Sequence, residues 1–474
     1  MNTFLKNYWS LYLDFLNDFE VLNYRGFSIP YLFCHFYSLV KDNKVLWDNL
    51  YNEKFINQLN SRVTERREIQ EVFQKFIQTH QREPLVKNGS GKVVLHVDKL
   101  LRFPRMTLDN YFDASETIII TAGNNKFKNK KQISIPGALQ IPIHYLGDYT
   151  IDTKKAVIEI QNKAREIFNS YKNHHLYKDT NFQNMFLTNI SQIIDRIEQS
   201  KSFLERVSVS CIVVSTTHSF VSRILALVAT ERGIPTICMQ HGIISGEFGY
   251  LPKIALVDAV YGNFEADWYK EAGAPEGSIE IIGHPRFDQA FLYHKITRSQ
   301  FDLHLGINAN QRKLLIVMRD NQDIDRWRTL IRTISKEVNV NILIKNYPSK
   351  HPHILVEEFP FVHSTKNYDL YDILPNVDCV VSYSSTVGLE AMLANKTVFI
   401  LNEEFPGYSG YYNNLDEMVQ TDPRKLGELI KKYFNDPNWH IDAQKKREEF
   451  LKYAYPDVSM SGERLKKLIN RMTS

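Results

Sequence analysis

Four cysteines in 474 residues, Cys34, Cys211, Cys238 and Cys379, are too few and too scattered to staple a secreted fold, and no pair shows metal-ligand spacing. They read as small core residues of a reducing compartment. Charge of one sign is also lacking. The formal net charge of +4 leaves no basic stripe of the kind general nucleic-acid binding needs, so no nucleic-acid partner is expected. No apolar run reaches about 18 residues, which excludes an expected spanning helix. The N-terminus, MNTFLKNYWSLYLDF, lacks the basic region, apolar core and cleavage site of a secretion signal. The expected location is cytoplasmic. Peripheral contact with the inner face of the cell membrane, through the aromatic N-terminal helix or a lysine-rich tail, is the one route left to a bilayer. No G-x-G-x-x-G follows the first strand of either strand series described below, which disfavours a dinucleotide-dependent dehydrogenase. No obligatory metal or cofactor is expected.

What is present is long and globular. With 43% hydrophobic and 24% charged residues the chain is foldable rather than disordered, and its length calls for two domains. Residues 1–90 read as a helical extension. Phe4, Leu5, Tyr8, Leu11, Tyr12, Phe15, Leu16 and Phe19 form an aromatic stripe whose acidic opposite face favours packing on the protein body over lying on anionic lipid. The stretch 62–81 reads as a helix with a solvated, mixed-charge face.

Asn88, Gly89, Ser90 and Gly91 then punctuate the chain before a strand at 93–97, with Asp98 at its carboxyl edge. Strands at 118–121, 211–215, 236–239, 255–260 and 279–282 follow, with helix over 154–203 and 220–230, and a basic loop at 126–131. This alternation predicts a doubly wound sheet over 91–288. Residues 289–310 read as a linker. A second series, with strands at 314–318, 341–344, 379–381 and 398–401, predicts another Rossmann-like domain over 311–422, and 423–474 reads as lysine-rich helices. The predicted class is α/β: two Rossmann-like domains in tandem, with an N-terminal helical extension.

The second domain carries the densest signal. Residues 378–402, DCVVSYSSTVGLEAMLANKTVFILN, read as strand, hydroxyl-rich turn, helix and strand. Ser384, Ser385 and Thr386 meet at a helix N-terminus, where the helix dipole and free N–H groups favour phosphate. Helix capping is the bland alternative, and it needs only one hydroxyl. Glu390 either faces a ligand hydroxyl or pairs with a core arginine. Arg319 and Lys345 close neighbouring strands and would offer cations to the same edge. In the first domain, His241 within Gln240-His241-Gly242 follows a strand and suits a general base or a phosphate partner, or is a loop histidine satisfied by backbone. Arg286, in Gly283-His284-Pro285-Arg286-Phe287-Asp288, offers a fork for phosphate or, with Asp288, fastens the domains.

These four groups, Gln240-His241-Gly242, 283–288, Lys345 with Pro348, and 382–385, together resemble GT-B transferases of the group containing CDP-glycerol glycerophosphotransferases of teichoic acid synthesis and related capsule and spore-coat polysaccharide proteins. The resemblance spans roughly residues 93–401. It implies a nucleotide-activated donor, CDP- or UDP-linked, on the second domain, held by Lys345, Ser384 and Ser385. It implies a GT-B-like fold with the two domains facing a cleft, and a polysaccharide or polyol-phosphate acceptor deprotonated by His241; Asp98, from its place at the edge of the first strand, is the second candidate base. The chain departs from the group's pattern at Gln240, where Trp is frequent, and at Tyr347, where His is frequent; Gln-His-Gly also resembles capsule glycosyltransferases. The expected activity is transfer of a glycosyl or glycerophosphoryl group. A nucleotide-sugar 2-epimerase of the same architecture and an inactive binding subunit of a polysaccharide assembly complex are the alternatives.

Overall fold

A computed structural model describes residues 1–81, 91–124, 141–292, 296–319, 322–347 and 351–474. The expectations at 88–90, at the 126–131 loop, and at Pro348 lie outside the described residues. An aromatic helix, α1 (Thr3–Asp18), opens the chain and buries Phe4, Tyr8, Trp9, Tyr12 and Phe15. Helix α2 (Arg66–His80) follows. Its charges do not form a purely solvated face. Ile69, Phe73 and Ile77 are buried, and Arg66 pairs with the fully buried Glu247.

The first sheet is built from β1 (Lys92–His96), β2 (Thr117–Thr121), β3 (Ile143–Tyr145), β4 (Val209–Val214), β5 (Thr236–Met239), β6 (Val257–Val260) and β7 (Ile279–Ile281). Their order in space is β3-β2-β1-β4-β5-β6-β7 and every pairing is parallel. The stretch expected as one long helix is two, α3 (Lys154–Ser170) and α4 (Thr180–Arg206), separated by a turn that holds His174 and Tyr177. With α5 (Phe220–Glu231) they cover one face of the sheet, and α1 and α2 share that core.

The second sheet, β8 (Arg312–Arg319), β9 (Val340–Tyr347), β10 (Val362–Ser364), β11 (Cys379–Ser382), β12 (Thr397–Leu401) and β13 (Val419–Gln420), repeats the plan as β10-β9-β8-β11-β12-β13, again all parallel. The interior of β8, Lys313 to Met318, is wholly buried, as a strand covered on both faces by helices requires. The short strands β3, β10 and β13 have too few apolar residues to stand out from loop in the sequence. Helix α6 (Thr386–Leu393) links β11 to β12 and is buried from Val387 to Leu393, because it lies between the sheet, the first domain and the C-terminal helices.

The last three helices are α7 (Pro423–Asn435), α8 (Pro437–Ala454) and α9 (Ser461–Thr473). The first two pack in the second domain. The third crosses back, and Leu465, Leu468 and Ile469 join Leu95, Ile119 and Val213 on the other face of the first sheet. Asp288 caps this helix by accepting from the Ser461 and Gly462 N–H groups at 2.8 and 3.0 Å. Gly283 lies at φ +69 against Tyr455, whose hydroxyl would stand 2.2 Å from any Cβ there. A side chain at that position would unseat the crossing.

Candidate functional site

In both sheets the strand order reverses beside the first strand, and in open α/β sheets ligands bind outside the carboxyl ends at that reversal. In the second sheet it falls between β8, which ends in Arg319, and β11, which ends in Ser382. A cavity of about 770 Å³ opens there between the domains. Ser384, Ser385, Thr386 and Arg319 line it from the second domain, and His241, Gly242 and Arg286 from the first.

The α6 N-terminus leaves hydrogen-bonding groups without partners among the described residues. Ser385 is its N-cap in extended conformation, yet its side chain makes no capping hydrogen bond. The buried hydroxyl oxygens of Ser384 and Ser385 have no hydrogen-bond partner within the described protein. The backbone around them is fixed instead by Tyr412, whose hydroxyl donates to the Ser385 carbonyl at 2.6 Å and accepts from Leu389 N–H at 2.9 Å. Gly388 admits this approach, because a Cβ there would lie 2.7 Å from the Tyr412 oxygen. Thr386 is engaged elsewhere, and its Oγ1 accepts from the Ile243 N–H at 3.3 Å, across the cleft.

His241 sits on that opposing loop. Its ring stacks on Tyr250 with centroids 5.0 Å apart and planes within 10°. Burial drives its pKa down to about 4 against the raising charge of Asp98, with Arg102 lowering it further and a hydrogen bond to the Ser215 main chain raising it. The ring is therefore neutral at pH 7 and able to accept a proton. Gln240, fully buried, shapes the turn: its amide donates to Gly242 O at 2.7 Å and Glu265 at 2.9 Å, and its oxygen accepts from Tyr261 N–H at 3.0 Å. Burial holds Glu265 at about 7.

Several residues named from sequence have other partners. Asp98 does not line the cavity. Its carboxylate accepts from the Leu100 and Leu101 N–H groups and the Ser215 hydroxyl, at 2.7, 3.0 and 2.7 Å, so it caps the loop after β1 and is already occupied. Lys345 is also outside the lining. Strand β9 continues beyond the apolar run that marked it, so Lys345 lies inside the strand beneath Tyr347 and donates to the carbonyls of Thr365 and Tyr368. Arg286 and Glu390 both line the cavity but are paired across it at 2.8 Å, with Tyr371 donating to Glu390 at 2.7 Å. Of the open alternatives, pairing with a core arginine is the one Glu390 adopts.

Sequence reading missed Arg102 and Arg326, which also line the cavity, as do Tyr347 and Tyr383, to which it gave no site role. Arg326 donates to the Asn402 and Thr421 carbonyls, and Arg319 lies over the Tyr383 ring at 5.5 Å. Arg102 comes from the first domain at φ 47, and burial together with the charge of Arg286 lowers its pKa. Both arginines line the cavity, where an anion would favour the charged state of Arg102. The available signal for Arg102 was its place just after the first strand, where sheet ligands collect.

Buried neutral histidines make stability depend on pH. Burial is the leading cause that lowers the pKa of His96, His174 and His241 to about 4 and of His284 to about 3. Unfolded histidines titrate near 6.5, so between that value and about 4 the unfolded chain binds more protons. Stability is fully present above about pH 6.5 and falls as the pH drops through the folded values. Melting temperatures recorded between about pH 7 and 4 are expected to decline continuously; a flat profile over that interval would mean these rings are charged in the native state.

No family model matches the chain, and no curated protein matches it. Solved structures do resemble it. The S. aureus MnaA–UDP co-structure aligns at 12% identity over 81% of this chain and 98% of that one, with a TM-score of 0.50. A UDP-N-acetylglucosamine 2-epimerase aligns at 13% identity over 82% and 96%, with a TM-score of 0.49. The wall teichoic acid polymerase TagF aligns at 12% identity over 94% and 98%, with a TM-score of 0.44. At such identities the likeness concerns the fold. The chain is a two-domain α/β protein of GT-B-like architecture, with the helical N-terminal region built onto its first domain.

Proposed function

We propose that the protein is a GT-B transferase that takes a UDP-linked donor and transfers its glycosyl or glycerophosphoryl group to a polysaccharide or polyol-phosphate acceptor. The observation that carries this reading is the pair of buried serine hydroxyls without a hydrogen-bond partner at the α6 N-terminus, in a cavity that the neutral His241 also lines. The donor diphosphate would accept from Ser384, Ser385 and the first N–H groups of α6, with Arg319 and Arg102 balancing its charge. His241 would take the acceptor hydroxyl proton as that oxygen attacks the donor carbon, or the donor phosphorus for a glycerophosphoryl group. The bond to the leaving phosphate breaks, and the nucleotide departs carrying the electron pair. A UDP-linked donor is preferred to a CDP-linked one because the MnaA structure that shares the fold holds UDP.

Calorimetry with UDP and CDP tests the donor site. UDP is expected to bind, and replacing Ser384 and Ser385 together with alanine should weaken it by roughly 1–3 kcal/mol, the range for hydrogen bonds to a charged group. Unchanged affinity in the folded double variant would remove the serines from the site. Conversion of UDP-N-acetylglucosamine without any acceptor would identify an epimerase instead.

A further inference from the structure

The loop that carries His241 is stitched on three sides. Toward the second domain, Ile243 N–H reaches Thr386, the Ser245 carbonyl accepts from Ser409 N–H at 3.0 Å, and Gly246 bridges to Tyr408. Internally, the Tyr250 hydroxyl stands 2.9 Å from Gly242 O and 3.1 Å from Ile243 O. Toward the N-terminal helices, Glu247 makes the polar contacts and Phe248 the apolar ones. Glu247 is fully buried, and its carboxylate accepts from Trp9 Nε1–H on α1 and pairs with Arg66 on α2, each at 2.5 Å. Phe248 packs with Tyr8, Trp9 and Tyr37 beside it. A buried carboxylate with two such partners has one stable place, so it fixes the backbone that bears it.

We propose that Glu247 is a positioning residue for His241, and that the N-terminal helical segment, through Trp9 and Arg66, is thereby part of the transfer site. The inference rests on the transferase reading for its purpose, but the clamp itself can be tested without substrate. It deepens that reading by giving the first eighty residues a role at the cleft. An error of about 1 Å in the base's position lowers a rate by roughly a hundredfold, so a loop crossing the cleft needs a brace on its outer side.

The test uses the full chain and diethyl pyrocarbonate, which modifies unprotonated imidazole, with the extent at His241 read by mass spectrometry at neutral pH. His363, on the edge strand β10, serves as internal control. Trp9→Phe keeps the ring and removes the donor, and Glu247→Gln removes the charge. Both are expected to change the His241 rate by about tenfold, the scale of altered local opening, with the His363 rate unchanged. Arg66→Lys, which keeps the charge, should restore most of the wild-type rate relative to Arg66→Met. If Trp9→Phe proves unstable, the Arg66 pair reads the same contact from a partly exposed position. Wild-type His241 reactivity in Trp9→Phe, Glu247→Gln and Arg66→Met would overturn the inference. A wild-type protein that fails to bind UDP would overturn the transferase reading instead, and the His241 rates would still decide the clamp.

Discussion

His241→Ala is expected to lower turnover by about 100- to 10,000-fold, the usual worth of general-base catalysis, while leaving UDP affinity within about threefold of wild type. The split follows from where the ring sits. His241 extends from the first domain, whereas the serines and Arg319 that face the cavity belong to the second. Removing a group that acts on the acceptor removes an interaction made in the transition state, which lowers the rate without loosening the donor. A histidine that only braced its loop would behave differently: stability and donor affinity would fall together, because Thr386 is tied to the neighbouring Ile243. Turnover, melting temperature and UDP affinity measured on the one variant separate these outcomes. Survival of activity within about threefold of wild type, far inside that catalytic range, would place the base elsewhere. Asp98, already occupied by three donors, would need its loop to rearrange before it could serve.

The largest stability effect is expected at Arg286. Glu390 is fully buried and Arg286 largely so, and their ion pair joins the end of the first domain to α6 of the second. Burial works against the Arg286 charge, but Glu390 outweighs it, and the net effect is a raised pKa. Arg286→Ala leaves Glu390 buried with only the Tyr371 hydroxyl, and breaking a buried pair from one side costs roughly 3–5 kcal/mol. Glu390→Gln should cost less, since the amide oxygen still accepts from both partners. Urea unfolding of both variants checks the order. Equal, small losses would mean that water reaches the pair and that the arginine is free for a ligand phosphate.

The strands that make the two sheets were legible because parallel strands covered on both faces are continuous apolar runs, as at Leu314 to Met318 and at Cys379 to Val381. Their ends were not. Hydrophobicity stops at Ile344 while hydrogen bonding with β8 continues to Tyr347, and those added residues turned Lys345 from a strand-edge cation into an interior one. The hydroxyl-rich turn was readable from composition alone, since capping uses one hydroxyl and several were present. The Trp9–Glu247–Arg66 contact was not, because Glu247 is separated from both partners by more than 180 residues and each looks ordinary in its own helix or loop. Arg102 was hidden for a related reason. Its place just after the first strand was the one signal, and only the fold brings it into one cavity lining with Arg286.

The return of α9 to the first sheet has a mechanical consequence. The polypeptide passes between the two sheets twice, once between β7 and β8 and once between α8 and α9, so the two bodies are joined at two separate points. Two bodies held at two points swing about the line through those points, and sliding or twisting about any other axis strains a covalent connection. Opening of the cleft is thereby reduced to something like a door on two hinges, and cutting the chain before α9 would take one hinge away while stripping Leu465, Leu468 and Ile469 from the sheet they cover.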